Sequence, residues 1–318
     1  VRPGIVCALG LGMTQPKKIL VPIDFSNEQS RVLHQAELLA TQLSAEIVLL
    51  HCAAPLELST VAFEPVYVPA EVIERFRGDH LAAAEHKLEA VAEGLRAKLA
   101  VSVYVKARPP VDGIVQMATE LDCSYIVMGS RGGGIGPFLL GSVAEQVTRK
   151  APCPVVVSRD DVDATEYKRV LVGVDFSPAS APLVALAREL AAADGEIHLV
   201  HGWQPPHLDT AHLFGDTGHE GLVSALGAGL QEHVGYLESF VAKLPDDSRY
   251  RLRVEEGRAA TTLIELAESL PADAVFVGAH ESKGLRGLLG TVADRVLRKA
   301  KTTVLLTEAA RDKALLGG

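Results

Sequence analysis

Aromatic residues are scarce in this sequence, and no stretch of it is long and uniformly apolar. Phe, Trp and Tyr make up 5% of the 318 residues, with a single Trp. No run approaches the ~18 uninterrupted apolar residues of a membrane helix, so no membrane span is expected. Cationic charge is also short. Thirty-one Lys and Arg stand against 40 Asp and Glu, a net charge of −9, which removes the basic footprint of a nucleic-acid binder. The four cysteines, Cys7, Cys52, Cys123 and Cys153, all fall in the first half and never at CxxC spacing. Neither a zinc or redox motif nor a disulfide framework follows from them, and a reducing cytoplasm fits best. Two glycine signatures are missing as well. No GxGxxG follows the first strand candidate and no GxxxxGK[ST] follows any, which argues against a dinucleotide fingerprint and a P-loop.

What is present suits a globular α/β protein. The chain is 48% hydrophobic and 22% charged, enough apolar surface to exclude disorder. Its length implies about two domains. Charge is divided unevenly: residues 1–159 hold 15 Lys/Arg against 16 Asp/Glu, and residues 160–318 hold 16 against 24. The second half is therefore the poorer host for a polyanion. Residues 1–12 weakly imitate a signal peptide but lack a cleavage pattern. Met13 opens a clean start, so they read as an extension upstream of it.

The chain repeats itself. Lys18-Ile-Leu-Val-Pro-Ile-Asp24-Phe-Ser26 recurs as Arg169-Val-Leu-Val-Gly-Val-Asp175-Phe-Ser177, and Ile47-Val-Leu-Leu-His51 as Ile197-His-Leu-Val-His201. Met128-Gly-Ser130 recurs as Val277-Gly-Ala279, and Leu140-Gly-Ser-Val-Ala144 as Leu289-Gly-Thr-Val-Ala293. The offset drifts only from 151 to 149, so each half is one copy of the same fold. A period this long means duplicated domains, here residues 13–158 and 168–308, and not a solenoid. The polar, acidic stretch Arg159–Tyr167 reads as the linker.

Within the first copy, short β-branched runs alternate with helical patterns. Strands are expected over Ile19–Ile23, Ile47–His51, Val101–Val105, Tyr125–Met128 and Val155–Val157. The first helix is expected after Ser26 as N-cap, with Val32, Leu33, Ala36, Leu39, Ala40 and Leu43 on one face. A long second helix spaces Leu81, Ala84, Leu88, Val91, Leu95 and Leu99. A third runs from about Asp112 to Leu121, and a fourth begins at Ser142. In the second copy Ser177-Pro178 reads as N-cap followed by proline at the first helical position. Alternating strands and helices imply a parallel sheet, so each copy is a five-stranded, doubly wound α/β unit.

Ligands of such sheets bind beyond the carboxyl ends of the strands, where the strand order reverses. The first strand ends there in Pro22-Ile23-Asp24. The fourth ends in Met128 and runs into Gly129-Ser-Arg131-Gly132-Gly-Gly-Ile-Gly-Pro-Phe-Leu-Leu-Gly141-Ser142. Glycines admit backbone amides close to phosphate oxygens. Gly141-Ser142 then opens a helix whose free amides and dipole attract anions, Ser142 adds a hydroxyl, and Arg131 a forked cation.

These motifs together resemble the universal stress protein family, over roughly residues 17–158 and 168–307, so the chain looks like a tandem member. The resemblance implies two Rossmann-like domains with strand order 3-2-1-4-5, ATP in the cleft, and the motif Gly-x2-Gly-x9-Gly-[Ser/Thr]. It places Gly129, Gly132, Gly141 and Ser142 on the phosphates, with a further amide from Val143. Pro22, Ile23 and Asp24 would line the nucleoside side, and Cys52 would face adenine through its backbone. Gly173, Val174, Asp175, Gly202, Gly278, Gly290, Thr291 and Val292 are the second copy's counterparts. Two departures stand out. Eight residues, not nine, separate Gly132 from Gly141, and Glu281 replaces the second glycine of the second copy. A carboxylate there opposes phosphate, so the first cleft is expected to bind ATP better, with Asp24 able to hold Mg²⁺ through water.

Plainer readings run beside these. Ser142-x-x-Glu145 is also a capping box and Thr291-x-x-Asp294 nearly one, although capping leaves the upstream glycines unexplained. Asp24 and Asp175 can be turn residues, but their recurrence at the switch point favours a ligand role. His51 and His201 read as packed structural histidines, and Trp203 as packing. His207, His212 and His219 with Asp209 and Asp216 lack a metal-site spacing and read as a polar loop. Ala53–Ala70 and Trp203–Gly221 follow the second strands and read as loops near the clefts.

No activated nucleophile or general-base pair is visible, so an ATP-binding stress-response protein with little or no catalysis is expected. The rival expectation is a module that lost nucleotide and works through partner proteins or another ligand. A nucleotidyl-transferring enzyme has no sequence support beyond the shared cleft. The apolar fifth strands, Pro154–Val157 and Thr303–Leu306, invite edge pairing. The family pairs such strands between subunits, which implies a dimer joined in one chain and leaves room for a homodimer of whole chains.

Overall fold

The computed structural model describes residues 16–26, 28–53, 70–130, 140–159, 166–204, 218–279 and 289–307, with backbone only at 70 and 218–225. The first half runs β1 (Lys18–Pro22), α1 (Gln29–Leu43), β2 (Glu46–Cys52), α2 (Ala70–Arg96), β3 (Val101–Lys106), α3 (Pro110–Glu120), β4 (Tyr125–Gly129), α4 (Ser142–Lys150) and β5 (Val155–Ser158). The second half repeats it as β6 (Tyr167–Gly173), α5 (Ser180–Leu190), β7 (Ala191–Trp203), α6 (Gly218–Val241), β8 (Tyr250–Glu256), α7 (Ala259–Ser269), β9 (Ala274–Gly278), α8 (Thr291–Lys299) and β10 (Thr303–Thr307).

All strands form one sheet in the order β3-β2-β1-β4-β5-β10-β9-β6-β7-β8. Each half is parallel with order 3-2-1-4-5, and the halves meet where β5 and β10 pair antiparallel, with Val156 opposite Leu305. The fifth strands are thus spent inside the chain. Any assembly of whole chains needs another surface. The outer strand β8 carries Arg251, Arg253, Glu255 and Glu256, charges that discourage edge pairing.

Strands buried on both faces explain the unbroken apolar runs. Alternate residues feed two cores. Val32 and Leu39 of α1, Leu88 of α2, Leu183 of α5 and Leu237 of α6 pack on one face. Ile114 and Met117 of α3, Val147 of α4, Leu263 of α7 and Val296 of α8 pack on the other. Each core runs through both halves. Polar contacts add to the join: the buried Tyr167 hydroxyl donates to Gln35 Oε1 at 2.8 Å, and Tyr125 donates to Glu189 at 3.0 Å. Burial holds the Tyr167 phenol well above its ordinary range.

Several sequence readings need correction. Tyr167 is not linker but the first residue of β6, and it is fully buried. α1 begins at Gln29 with Glu28 at the N-cap, because the Ser26 amide is taken by Asp24 Oδ1 at 3.0 Å in a turn. α5 likewise begins at Ser180, and Ser177-Pro178 lies in the preceding turn. The short polar residues after each strand close an Asx turn before any helix starts. β7 begins at Ala191, six residues earlier than the apolar run, and shifts register against β6 between Tyr167 and Arg169.

Candidate functional site

The carboxyl ends of β1, β2 and β4 and the amino ends of α3 and α4 enclose a cleft of about 530 Å³, within the range of small-molecule sites. Pro22, Ile23 and Asp24 form one wall, and Met128 and Gly129 end the neighbouring strand. Gly141, Ser142 and Val143 form the α4 mouth, and Cys52 closes the far end. The sequence-derived residues of the first copy therefore converge, except Arg131 and Gly132, which lie outside the described residues. Sequence reasoning missed Ser26, Glu28, Gln29, Val32, Pro110 and Ile114. Pro109-Pro110 was a readable helix start, and topology brings that start beside the end of β2.

The turn that presents Asp24 is pinned from beneath. Phe25 sits in the left-handed region with φ 59°, an unusual backbone for a bulky residue. Its ring lies 4.7 Å from the His51 ring, and His51 Nδ1 donates to the Ile23 carbonyl at 2.7 Å. The second copy repeats this: Phe176 has φ 60°, its ring lies 4.4 Å from His201, and His201 Nδ1 donates to the Val174 carbonyl at 2.8 Å. A carbonyl can only accept, so each Nδ1 carries the proton. Both histidines are structural supports. In the second copy His201 Nε2 then accepts from His233 Nδ1 at 3.0 Å. Burial, reinforced by His233, holds His201 below its ordinary pKa.

The α4 mouth turns its first-turn residues toward the cleft. Gly141, not Ser142, is the N-cap, and its own amide is used by the Ser130 carbonyl at 2.8 Å. The Glu145 amide bonds back to Gly141, so Ser142, Val143 and Ala144 carry the amides that helix geometry leaves without an intrahelical acceptor. This overturns the capping-box reading. Ser142 is an exposed first-turn residue, and the Glu145 carboxylate is engaged by Arg149 at 2.6 Å and Arg298 at 3.0 Å. Gly290 caps α8 in the same way, and Asp294 pairs with Arg298 at 3.0 Å. Among the described lining residues there is no Lys or Arg, so first-turn amides and the helix dipole supply the positive potential. The Cys52 thiol is pushed up to about 11 by burial, against the pull of Lys106, and stays protonated at neutral pH. A thiol held in the protonated form is a poor nucleophile.

The second copy keeps the mouth but differs at Asp175 and at the end of β7. Asp175 accepts from the Ser177 amide at 3.0 Å and from the Ser180 hydroxyl at 2.8 Å. Burial opposes its charge, but these bonds outweigh it and hold its pKa below the ordinary value. Among the described residues, Asp24 accepts the corresponding bond from the Ser26 amide, and Gln29 stands where the second copy has Ser180. At the far end, Cys52 of the first copy is accommodated by Gly113, where a Cβ would meet its Sγ at 2.5 Å. Its counterpart Gly202 has lost the side chain, and Ala259 has moved in: a Cβ at Gly202 would lie 2.6 Å from the Ala259 Cα. The start of α7 lies directly against the strand at Gly202, with no room there for a side chain. Gly173, Val174, Gly278, Gly290, Thr291 and Val292 keep the positions of their counterparts at the ends of β6 and β9 and the start of α8. Trp203 is buried against His233, at 5.7 Å between rings. His207, His212, Asp209, Asp216 and Glu281 lie outside the described residues, as does the His219 side chain.

The model of the universal stress protein family matches the chain twice, over residues 16–159 and 166–308. The chain belongs to the universal stress protein family. A universal stress protein of Mycolicibacterium smegmatis is 32% identical over 298 residues, covering 91% of this chain and 96% of the relative. One from Mycobacterium tuberculosis is 32% identical over 241 residues, covering 72% of this chain and 76% of the relative. Among solved structures, a putative universal stress protein from Pseudomonas aeruginosa superposes with a TM-score of 0.66 at 20% identity, covering 92% of this chain and 94% of that one. That likeness extends the shared fold over both copies. No helix among the described residues is long and apolar enough to cross a membrane.

Proposed function

We propose that this universal stress protein binds ATP in the cleft of its first copy, acting in the cytoplasm as a stress-response nucleotide binder with little or no turnover. One observation carries the reading: the amides of Ser142, Val143 and Ala144, which the helix leaves without an intrahelical acceptor, open into a cleft that Asp24 also lines. A helix mouth of this kind holds phosphate oxygens. Pro22, Ile23 and Cys52 would line the nucleoside end. Asp24 is the residue that would face a Mg²⁺ ion accompanying the nucleotide. Low turnover is supported by the protonated Cys52, by His51 being committed to the Ile23 carbonyl, and by the lack of a cationic group among the described lining residues. The close approach of Ala259 to Gly202 and the occupied Asp175 support a weak or empty second cleft.

Denaturing the purified protein and separating what it releases tests this. ATP is expected from the wild-type chain and none from Gly129→Val, which places a branched side chain on the cleft wall. A wild-type cleft that releases nothing and ignores added ATP would favour a partner-binding module. That second reading has its own support: Val72 and Phe76, one turn apart on α2, are 50% and 60% exposed.

A further inference from the structure

The sheet ends in two unlike edges. Among the described residues, β3 and β8 are its outermost strands. β8 carries Arg251, Arg253, Glu255 and Glu256, and charges so placed keep other strands away. β3 reads Val101-Ser-Val-Tyr-Val-Lys106, with a charge only at its end. Each of its residues is partly buried, and no described strand pairs with its far side. An edge of this composition is a template for another strand.

Bonds to β2 tell which backbone groups lie on that edge. The Ala100 carbonyl accepts from the Ile47 amide and the Lys106 carbonyl from the Ala53 amide, both at 2.9 Å. With a period of two, Ser102 and Tyr104 also turn inward, and Val101, Val103 and Val105 turn their N–H and C=O groups outward. Side chains alternate too: the valines pack toward the core under α1 and α2, and Tyr104 toward the other. A second β3, antiparallel and related by a twofold axis at Val103, fits both patterns. Val103 then faces its own copy, and Val101 faces Val105 of the other chain. These are the residues with outward groups, so each facing pair exchanges two hydrogen bonds. Valine meets valine on one face, and Ser102 meets Tyr104 of the other chain on the opposite one. Charge agrees as well. Lys106 falls opposite Ala100 of the other chain, one strand from that chain's Glu46, whose carboxylate lies on the same face and accepts from the Ser102 hydroxyl. The strand is its own complement.

We propose that the outer edge of β3 is a docking surface for a second copy of this chain, which pairs its own β3 antiparallel about Val103 and continues the sheet across the dimer. The chain already contains a join of this kind, the antiparallel β5–β10 pair between its halves. That pair spends both fifth strands, and β3 is the edge left without charged guards along its length. The surface is independent of the ATP reading.

The molar mass of the full chain in solution tests this, with variants that touch only the edge. Wild type should be a dimer at micromolar concentration. Val103→Pro removes an N–H that points outward and keeps the bonds to β2, so the dimer dissociation constant should rise at least about tenfold. On oxidation Val103→Cys should give a disulfide-linked dimer, because a directly facing pair holds its Cα atoms about 5.5 Å apart. Val101→Cys faces position 105, out of reach of its copy, and should not; the native cysteines are common to both variants. A monomeric wild type would overturn the proposal. Slow amide exchange at Val101, Val103 and Val105 in that monomer would assign the edge to a segment of the same chain, and fast exchange would leave it to another protein. A dimer that Val103→Pro leaves intact would place the contact elsewhere, as would cross-linking equal at 101 and 103 or seen at neither. If Val103→Pro does not fold, the two cysteine variants decide alone.

Discussion

The double variant Val156→Lys, Leu305→Lys is expected to open the middle of the sheet and to cost more stability than any change at the polar contacts around it. Val156 and Leu305 are opposite each other on the antiparallel β5–β10 pair and are essentially inaccessible to solvent, at 0% and 1%. Removing each apolar side chain forfeits about 1.5–3 kcal/mol of burial, and each unpaired ammonium left inside adds a penalty of several kcal/mol. The polar links are weaker by comparison. Arg298 and Glu145 are 38% and 24% exposed, and such a pair contributes about 0–1 kcal/mol. The apolar join therefore holds the halves together, and the ion pairs trim its edges. Chemical denaturation and hydrodynamic radius measure this. A large loss of stability with an expanded particle is expected. Unchanged values for both would show that the halves are held elsewhere.

Ser142→Asp should separate folding from binding. Ser142 is exposed in the first turn of α4, so an aspartate there meets no packing constraint. Its charge complements the helix dipole, which favours the fold by a few tenths of a kcal/mol to about 1 kcal/mol. The same carboxylate occupies the place proposed for phosphate, and like charges held that close oppose each other by several kcal/mol. ATP affinity should drop about a hundredfold or more while the melting temperature holds or rises. The two effects have opposite signs because one mouth serves both the helix and the ligand. A variant that binds ATP as wild type does would place the phosphates away from α4.

Much of this architecture is legible in the sequence, because a parallel sheet covered on both faces leaves unbroken apolar runs such as Val48-Leu-Leu50 and Val155-Val-Val157. The duplication is legible for the same reason, since Asp24 and Asp175 or His51 and His201 recur at almost constant spacing. The failures are local. Ser26, Ser177 and Ser142 all have the composition of helix caps, yet the first two lie in turns closed by Asp24 and Asp175, and glycine takes the cap ahead of the third. Ser, Asp and Gly satisfy turns and caps alike, so composition alone leaves the choice to the backbone path. Compensating pairs are equally silent in one dimension. Cys52 with Gly113, against Gly202 with Ala259, becomes visible only when strand and helix are brought face to face.

Amide hydrogen exchange, followed residue by residue with and without ATP, tests the placement of the nucleotide most directly. Saturating ATP should slow exchange at Ser142, Val143 and Ala144 and leave Thr291, Val292 and Ala293, the matching first turn of α8, unchanged. Equal protection of both helices, or no protection of α4 while ATP is bound, would contradict the account.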